Sequence, residues 1–259
     1  HLVNQLKLSS VGQVFITTHS SNVTIELDAT DFMLMRNGAP NLVQVNATLQ
    51  GAIRKNPEAL FALKLIICEG ATEIGICRAI NEFRIKEGKS NAAYKGIRFI
   101  DGHGSSFIEY SKEFHIIGFQ QIVFCDADDR AINVKKVEIS ELGIELIDTE
   151  LDNSIENQVF SDLPWEGIKE LVIYQIERTS KGSVEDSINS KISYSLPSDW
   201  IENDASGIRI VLGNLANKNE WFKRTDHGEY LGSIVCKHLG KMSSSRLKNQ
   251  FESLISWMD

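Results

Sequence analysis

Several features that mark other protein classes are absent from this sequence. No hydrophobic run approaches the length of a membrane-spanning helix, and no signal peptide is visible. The four cysteines form no Cys-x-x-Cys pair, and we expect reduced core residues of a cytoplasmic protein rather than a metal site. Positive charge is not in excess either. The net charge of −8 argues against a simple electropositive nucleic-acid-binding protein.

A phosphate-binding loop of the form Gly-x-x-x-x-Gly-Lys-Ser/Thr is also missing. Without this loop the phosphates of a nucleotide have no cradle, so we do not expect the chain to hydrolyse ATP alone. The 259 residues suffice for one large domain or two small ones, and 42% hydrophobic residues is ordinary for a globular protein. His1 is not a natural start, and we expect the chain to be part of a longer protein.

A strand, a tight turn and a helix are predicted between residues 64 and 80. Residues 65–68 form a short apolar run typical of a buried strand, and the residues after the turn have apolar side chains at helical spacing. Glu69 therefore ends the strand, and Glu73 lies about one helical turn further on. Both carboxylates are predicted to point into the crevice at the carboxyl edge of a parallel sheet.

A second predicted strand, residues 122–125, also ends in acidic residues. Asp126 and Asp128 are two positions apart, so they share one face if the backbone stays extended. Together with Glu69 and Glu73 they form a set of hard oxygen ligands that suits Mg²⁺ or Mn²⁺. Without a metal, carboxylates this close would repel one another and partly protonate.

Alternating strands and helices predict an α/β fold with a parallel sheet. The strands are predicted at residues 64–68, 97–100 and 120–125, and the helices at 71–87 and 106–117. Further on, residues 138–149 are expected to hold a short helix and a strand, and residues 164–174, 183–192 and the segment after Trp221 are expected to be helical.

The N-terminal region is predicted to be rich in short strands, at residues 14–17, 32–35 and 42–45. Asn37-Gly38 is the expected turn between the last two. A helical connector broken at Pro57 is predicted over residues 47–63.

A glycine-containing loop follows the strand at residues 97–100. Gly102, His103 and Gly104 are candidates for binding phosphate or DNA, through backbone N–H groups and the amino end of the next helix. A tight strand-to-helix turn is the alternative interpretation. Basic residues gather later in the chain and are expected to lie mostly on solvated helix faces: Lys218, Lys223, Arg224, Lys237, Lys241, Arg246 and Lys248.

The motifs together resemble a known arrangement. Glu-Gly-Ala-Thr-Glu after one hydrophobic strand and Cys-Asp-Ala-Asp-Asp after another resemble a Toprim domain. Residues 13–23, which contain Thr-His-Ser, resemble the switch-histidine end of an ABC-type ATPase. ATPase followed by Toprim is similar to the OLD (overcoming-lysogenisation-defect) nuclease family, a group that includes the Gabija nuclease subunit.

This resemblance implies a fold and a domain order. An α/β Toprim-like parallel-sheet core with flanking helices would be preceded by a small β-rich remnant of an ABC ATPase domain and followed by a mostly helical C-terminal region. Residues 1–55 would be the ATPase part, 56–63 a connector, and 64–259 a Toprim nuclease domain with a helical extension. ATP would bind only with the missing ATPase part, on the same protein or on a partner chain. The full-length protein would form a homo-oligomer.

The resemblance also implies roles for individual residues. Two Mg²⁺ or Mn²⁺ ions would be held by Glu69, Glu73, Asp126, Asp128 and Glu156. Asp152 is the alternative to Glu156, and either acid could instead be a capping or surface residue. The catalytic group would comprise Glu69, Asp126, Asp128 and Lys223.

Three residues keep alternatives. Lys223 resembles the lysine that OLD-type nucleases keep near the metals, and Lys241 is its alternative. Glu69 could instead act as a general acid or base. His19 would be the ATPase switch histidine, with an ordinary turn histidine as the alternative.

The implied function is that of a metal-dependent DNA endonuclease within an OLD-like ATPase-nuclease of prokaryotic antiphage defence. DNA would be the substrate, the location cytoplasmic, and no membrane partner is expected. A non-catalytic Toprim-like module that binds nucleic acid or a protein partner is the alternative.

Overall fold

The N-terminal part of the chain contains little regular structure. The structure, a computed structural model, describes residues 5–6, 8, 12–35, 42–204 and 207–259. The first labelled elements are helix α1 (Ser21–Ile25), strands β1 (Met33–Leu34) and β2 (Val43–Gln44), and helix α2 (Gln50–Lys55). Strands β1 and β2 pair antiparallel as predicted, although each is only two residues long. The turn predicted at Asn37-Gly38 lies outside the described residues.

The strand predicted at residues 14–17 is not formed, and that prediction was wrong. Residues 13–20 have no regular structure, and the Phe15 side chain is 89% exposed. A β-strand needs a partner for its backbone hydrogen-bonding groups, and no described strand pairs with this segment. The β-branched and aromatic composition alone is therefore not sufficient here.

Four parallel strands form the central sheet. They are β3 (Lys64–Cys68), β4 (Ile97–Asp101), β5 (Gln120–Cys125) and β6 (Glu145–Asp148), in the spatial order β4-β3-β5-β6. Helices α3 (Ala71–Lys86), α4 (Phe107–Ile116) and α5 (Arg130–Glu141) connect them. The βαβαβ prediction is confirmed. The last connecting helix begins earlier than the predicted residue 138.

The strand register brings the carboxyl ends of the strands to one edge. Cys68, the last residue of β3, lies opposite Asp101 of β4 and Phe124 of β5. The residues that follow β3 and β5 therefore emerge side by side, and the loop after β4 lies next to them.

The sheet separates two apolar cores. Leu65 and Ile67 of β3 lie in the core on one face, and Ile66 and Cys68 lie in the core on the other. The first core is completed by α4 and by buried side chains between residues 29 and 62. The N-terminal segment thus packs directly on the sheet, and the predicted boundary at residue 55 falls within one continuous core.

Helices cover the other face of the sheet. They are α6 (Ile155–Asp162), α7 (Trp165–Arg178), α8 (Lys181–Asn189), α9 (Ile208–Lys218), α10 (Thr225–His238) and α11 (Arg246–Met258). The mostly helical C-terminal region is therefore confirmed, although α6, α9 and α11 had not been predicted as separate elements. The four cysteines are buried and free, as expected. Among the described helices, none is both long and apolar enough to cross a bilayer.

Candidate functional site

Acidic side chains meet at the carboxyl edge of the sheet. Glu69 follows β3 and Asp126 follows the neighbouring strand β5, and the backbone N–H of Asp126 donates to Oε2 of Glu69 at 3.2 Å. Glu73 lies in the first turn of α3, where its Oε2 accepts from the N–H of Gly70 at 2.9 Å. Asp128 is exposed at the rim of this group. We call Glu69, Glu73, Asp126, Asp128 and Glu156 the acidic cluster.

Glu156 reaches the cluster from a different element. It lies in the first turn of α6, behind Ser154, whose Oγ caps the helix by accepting from the N–H of Asn157 at 3.2 Å. The side chain of Glu156 is fully buried, and neither carboxylate oxygen has a hydrogen-bond partner among the described residues. The nearest cation is Nζ of Lys223, at 3.7 Å. Burying carboxylate oxygens without hydrogen-bond partners costs free energy. Further positive charge beside Glu156 and Lys223 would therefore be stabilising.

Lys223 is placed by close packing of α10 against α3. A Cβ atom at Gly75 would lie 2.3 Å from the carbonyl oxygen of Thr225, and one at Gly228 would lie 2.5 Å from that of Thr72. The two helices therefore approach so closely that only glycine fits at these two positions. Thr72 Oγ1 also donates to the carbonyl of Phe222 at 3.0 Å, which fixes the residue next to Lys223.

The charge of the cluster is only partly neutralised. Burial and the charge of Glu69 raise the pKa of Glu73 to about 7. Burial and the charges of Glu69, Glu73 and Asp128 raise the pKa of Asp126 to about 9. Burial also raises the pKa of Glu69. These shifts have the direction expected for buried carboxyl groups that lie close together, and at Glu73 the charge of Lys223 offsets them only in part.

The carboxylates of the cluster also shift the pKa of Lys223. Burial lowers the pKa of its ammonium group, but the charges of Glu156, Glu73, Asp126 and Asp128 outweigh burial and the pKa is raised. Lys223 is therefore held as a cation that faces the cluster.

The donor set fits Mg²⁺ or Mn²⁺ in chemistry. Carboxylate oxygens are the preferred ligands of both ions, and the unpartnered oxygens of Glu156 and the raised pKa values of Glu73 and Asp126 mark a place that favours added positive charge. As the side chains stand, no group of three or more His, Cys, Asp or Glu residues in the described part of the chain is arranged to hold one ion.

The geometry separates the alternatives left open by the sequence. The Asp152 side chain is exposed and accepts two hydrogen bonds from Arg130, at 2.9 and 3.0 Å. Lys241 is exposed in the short 3₁₀ helix Leu239–Lys241 and makes no ion pair with a described residue. Glu156 and Lys223, in contrast, face each other beside Glu73.

The glycine loop does not present its backbone to a phosphate in this structure. The N–H of Gly102 donates to the carbonyl of Cys68 at 2.7 Å, that of His103 to Oδ1 of Asp101 at 2.9 Å, and that of Gly104 to the carbonyl of Glu69 at 2.9 Å. A Cβ at Gly102 would meet Phe107 Cβ at 2.3 Å. The tight-turn interpretation therefore accounts for Gly102 and Gly104, because all three amides are already occupied.

Two further predicted residues lie apart from the cluster. His19 is exposed in the irregular segment 13–20, and no contact in the structure joins it to the carboxylates. The side chain of His103 contacts Nζ of Lys55 through Nδ1 at 3.0 Å. The roles assigned to both histidines remain predictions.

Lys136 was missed by reading the sequence. It is buried on α5, donates to the backbone carbonyl of Asp126 and lies 3.7 Å from Oδ2 of Asp148. This contact holds the backbone that carries Asp126 and Asp128. The sequence could have indicated its burial, because Lys136 lies on the same helix face as the apolar residues Ile132 and Ile139.

A known family matches part of the chain. Residues 60–128 match the family described as "Overcoming lysogenization defect protein-like, TOPRIM domain". That segment contains Glu69, Glu73, Asp126 and Asp128, and the family resemblance inferred from the sequence is confirmed for it. No curated protein matches the chain.

Solved structures with a similar fold include C-terminal regions of OLD proteins. The region from Burkholderia pseudomallei is 15% identical with a TM-score of 0.45, and the match covers 77% of this chain and 100% of that one. Two structures of the region from Xanthomonas campestris pv. campestris, phased with platinum and with mercury, are 13% and 14% identical, with TM-scores of 0.42 and 0.43. They cover 76% of this chain in each case and 94% and 97% of their own chains.

Proposed function

We propose that this chain, whose residues 60–128 match the TOPRIM domain of the OLD-like family, is the nuclease part of a metal-dependent DNA endonuclease. The observation that carries the proposal is the convergence of five carboxylates and one lysine from separate elements at the carboxyl edge of the sheet. Open α/β folds bind their ligands at this edge.

Each residue of the site has a defined task in this proposal. Glu69, Glu73, Asp126, Asp128 and Glu156 would hold two Mg²⁺ or Mn²⁺ ions. When bound, such ions supply Lewis acidity that lowers the pKa of a water molecule and stabilises a leaving oxygen. Lys223 would offset negative charge that develops on the scissile phosphate. Lys136 keeps the Asp126–Asp128 backbone in place.

The charge state of the cluster supports this assignment. A chain that carries raised carboxyl pKa values at one site must place positive charge there, or retain protons. DNA, which is an anion, cannot approach five carboxylates unless cations are present. The acidic net charge of the chain is therefore compatible with nuclease activity.

Supercoiled-plasmid cleavage tests the proposal. The wild-type chain is incubated with Mg²⁺, Mn²⁺ or EDTA, beside Asp126→Asn and Asp152→Asn. We expect metal-dependent nicking or linearisation by wild type and by Asp152→Asn, and none by Asp126→Asn. Cleavage that persists in Asp126→Asn, or in EDTA, would show that the acidic cluster is not the catalytic centre.

The wider setting is part of the same proposal. The ATPase part would come from further sequence or from a partner chain, and the biological role would be antiphage defence in a prokaryotic cytoplasm. Adding an ATPase partner to an inactive nuclease chain should then restore cleavage, with dependence on Asp126.

A further inference from the structure

A polar cavity lies beside the acidic cluster, on the side of β4. Its volume is about 420 Å³. Ala71, Ile74 and Arg78 of α3 line one wall, at the spacing of a single helix face. Because Ala71 lies between Glu69 and Glu73 in the chain, this cavity adjoins the cluster.

Cations outnumber acids in this cavity. Lys55, Arg78 and Arg98 line it, against Asp101 alone. Lys55 is held by Asp101 at 3.2 Å, and Arg98 by Glu58 at 2.7 Å. Arg78 is exposed and forms no ion pair with any described residue. In a chain of net charge −8, this is a local positive surface with an uncommitted guanidinium group.

Asn56 also lines this cavity, but its Nδ2 atom is buried and out of reach of a ligand there. The side chains of Lys55, Arg78 and Arg98 can only donate hydrogen bonds. The ligand that suits them is an anion with several acceptor oxygens, and arginine and lysine are the usual partners of phosphate.

The cavity and the cluster share one edge of the sheet. Asp101 ends β4 opposite Cys68, and the N–H of Gly104 donates to the carbonyl of Glu69 at 2.9 Å. A strand whose scissile phosphate lies at the cluster would therefore pass the cavity.

We propose that this cavity binds a backbone phosphate of the DNA strand, flanking the phosphate that is cut. The proposal rests on the proposed nuclease function and identifies where the acidic chain grips its substrate. Several of the later basic residues are paired, as Lys55 and Arg98 are: Arg224 with Asp226, Lys237 with Glu170, and Arg246 with Asp148. What distinguishes the cavity is Arg78, which has no ion pair with a described residue and lies beside the acidic cluster.

DNA binding measured without cleavage tests the proposal. Fluorescence anisotropy of a labelled duplex is recorded over a series of salt concentrations, with Ca²⁺ in place of Mg²⁺. We expect Arg78→Gln to weaken binding about tenfold and to reduce the slope of log affinity against log salt by about 0.9, the value for one lost phosphate contact. Lys86→Gln removes an exposed charge from the same helix and is the matched control, which should stay within about twofold of wild type.

Asn56→Asp sharpens the test. If the cavity holds a phosphate, the added carboxylate repels it and DNA affinity falls. If no phosphate binds there, the carboxylate forms an ion pair with a cation of the cavity, DNA affinity stays unchanged, and the cavity proposal is wrong. Inorganic phosphate and a mononucleotide are used as competitors to distinguish a free anion from a DNA backbone.

The outcomes separate this proposal from the nuclease function. If wild type cuts plasmid but Arg78→Gln matches Lys86→Gln in affinity and salt slope, the cavity proposal is wrong and the nuclease assignment stands. If Arg78 is needed to bind the free anions but not DNA, the cavity proposal is also wrong. If wild type neither binds nor cuts DNA, alone or with an ATPase partner, both proposals fail.

Discussion

At the residue scale, the buried charge of Asp126 has a consequence for stability. Its native pKa of about 9 lies above the ordinary value of 3.8. Between these pH values the native state keeps a proton that the unfolded state has lost, so the stability of the metal-free protein should fall as pH rises through this window. Glu73, with a pKa raised to about 7, adds to the same trend.

Asp126→Asn should therefore stabilise the metal-free chain in a pH-dependent way. Urea unfolding in EDTA should show little gain near pH 4 and a gain that grows to roughly 5 kcal/mol near pH 8, since each unit of pKa shift corresponds to about 1.4 kcal/mol. An equal effect at both pH values would mean that Asp126 is not destabilised by charge.

Lys223 makes a second prediction at this scale. Lys223→Met leaves Glu156 buried without its nearest cation and removes the charge that faces the phosphate. Plasmid cleavage should fall by about 10²- to 10³-fold, the typical cost of a lost preorganised charge in a catalytic site. Lys241→Met, at the exposed alternative position, should retain cleavage within about twofold. The opposite ranking of the two variants would transfer the role to Lys241.

At the scale of elements, the contact of α3 with α10 is the critical one. It depends on glycines whose Cβ atoms would collide with the backbone of the opposite helix. Gly228→Ala should destabilise the chain by about 1–3 kcal/mol, as overpacking usually does, and should lower cleavage because α10 carries the Lys223 segment.

Gly182→Ala provides the control for that variant. Gly182 lies in α8 with nothing within 4 Å of an added Cβ, so alanine should stabilise the helix by up to about 1 kcal/mol. Urea unfolding of both variants distinguishes a specific collision from a general intolerance of alanine. A stable Gly228→Ala chain with full activity would show that the close approach of the two helices is not required.

The elements also show what the sequence could predict. Strands β3 and β5 and helix α3 were predicted because periodicity, the glycine turn and acidic strand ends all agree locally. Residues 14–17 have strand-like composition but no described partner, and pairing is not encoded within four residues. For the glycines after β4 the sequence left phosphate binding and a tight turn open, and in the structure their amides close the turn.

At the scale of the whole molecule, the site is assembled from distant parts of the chain. Thr72 and Phe222, whose contact places Lys223, are 150 positions apart. Position in the sequence suggested Glu156 and Lys223 but could not separate them from Asp152 and Lys241, because each choice depends on tertiary packing of α6 and α10. The buried role of Lys136 needed the same information, although its stripe position was visible.

The two cores pack on opposite faces of the sheet whose edge carries this site. The N-terminal segment packs on one face of the sheet and the C-terminal helices on the other, so the carboxyl edge remains free for a ligand. The acidic cluster and the basic cavity both open there. In the proposed nuclease, local cations on one side and bound metal on the other would allow DNA to approach a chain of negative net charge.

The number and position of bound Mn²⁺ ions test this account most directly. Anomalous diffraction from crystals grown with Mn²⁺ would be measured for wild type and for Glu156→Gln. The account predicts two peaks among Glu69, Glu73, Asp126, Asp128 and Glu156 in wild type, and the loss of at least one peak in Glu156→Gln. Wild-type crystals with no peak at the carboxyl edge of the sheet, or with Mn²⁺ bound elsewhere, would contradict it.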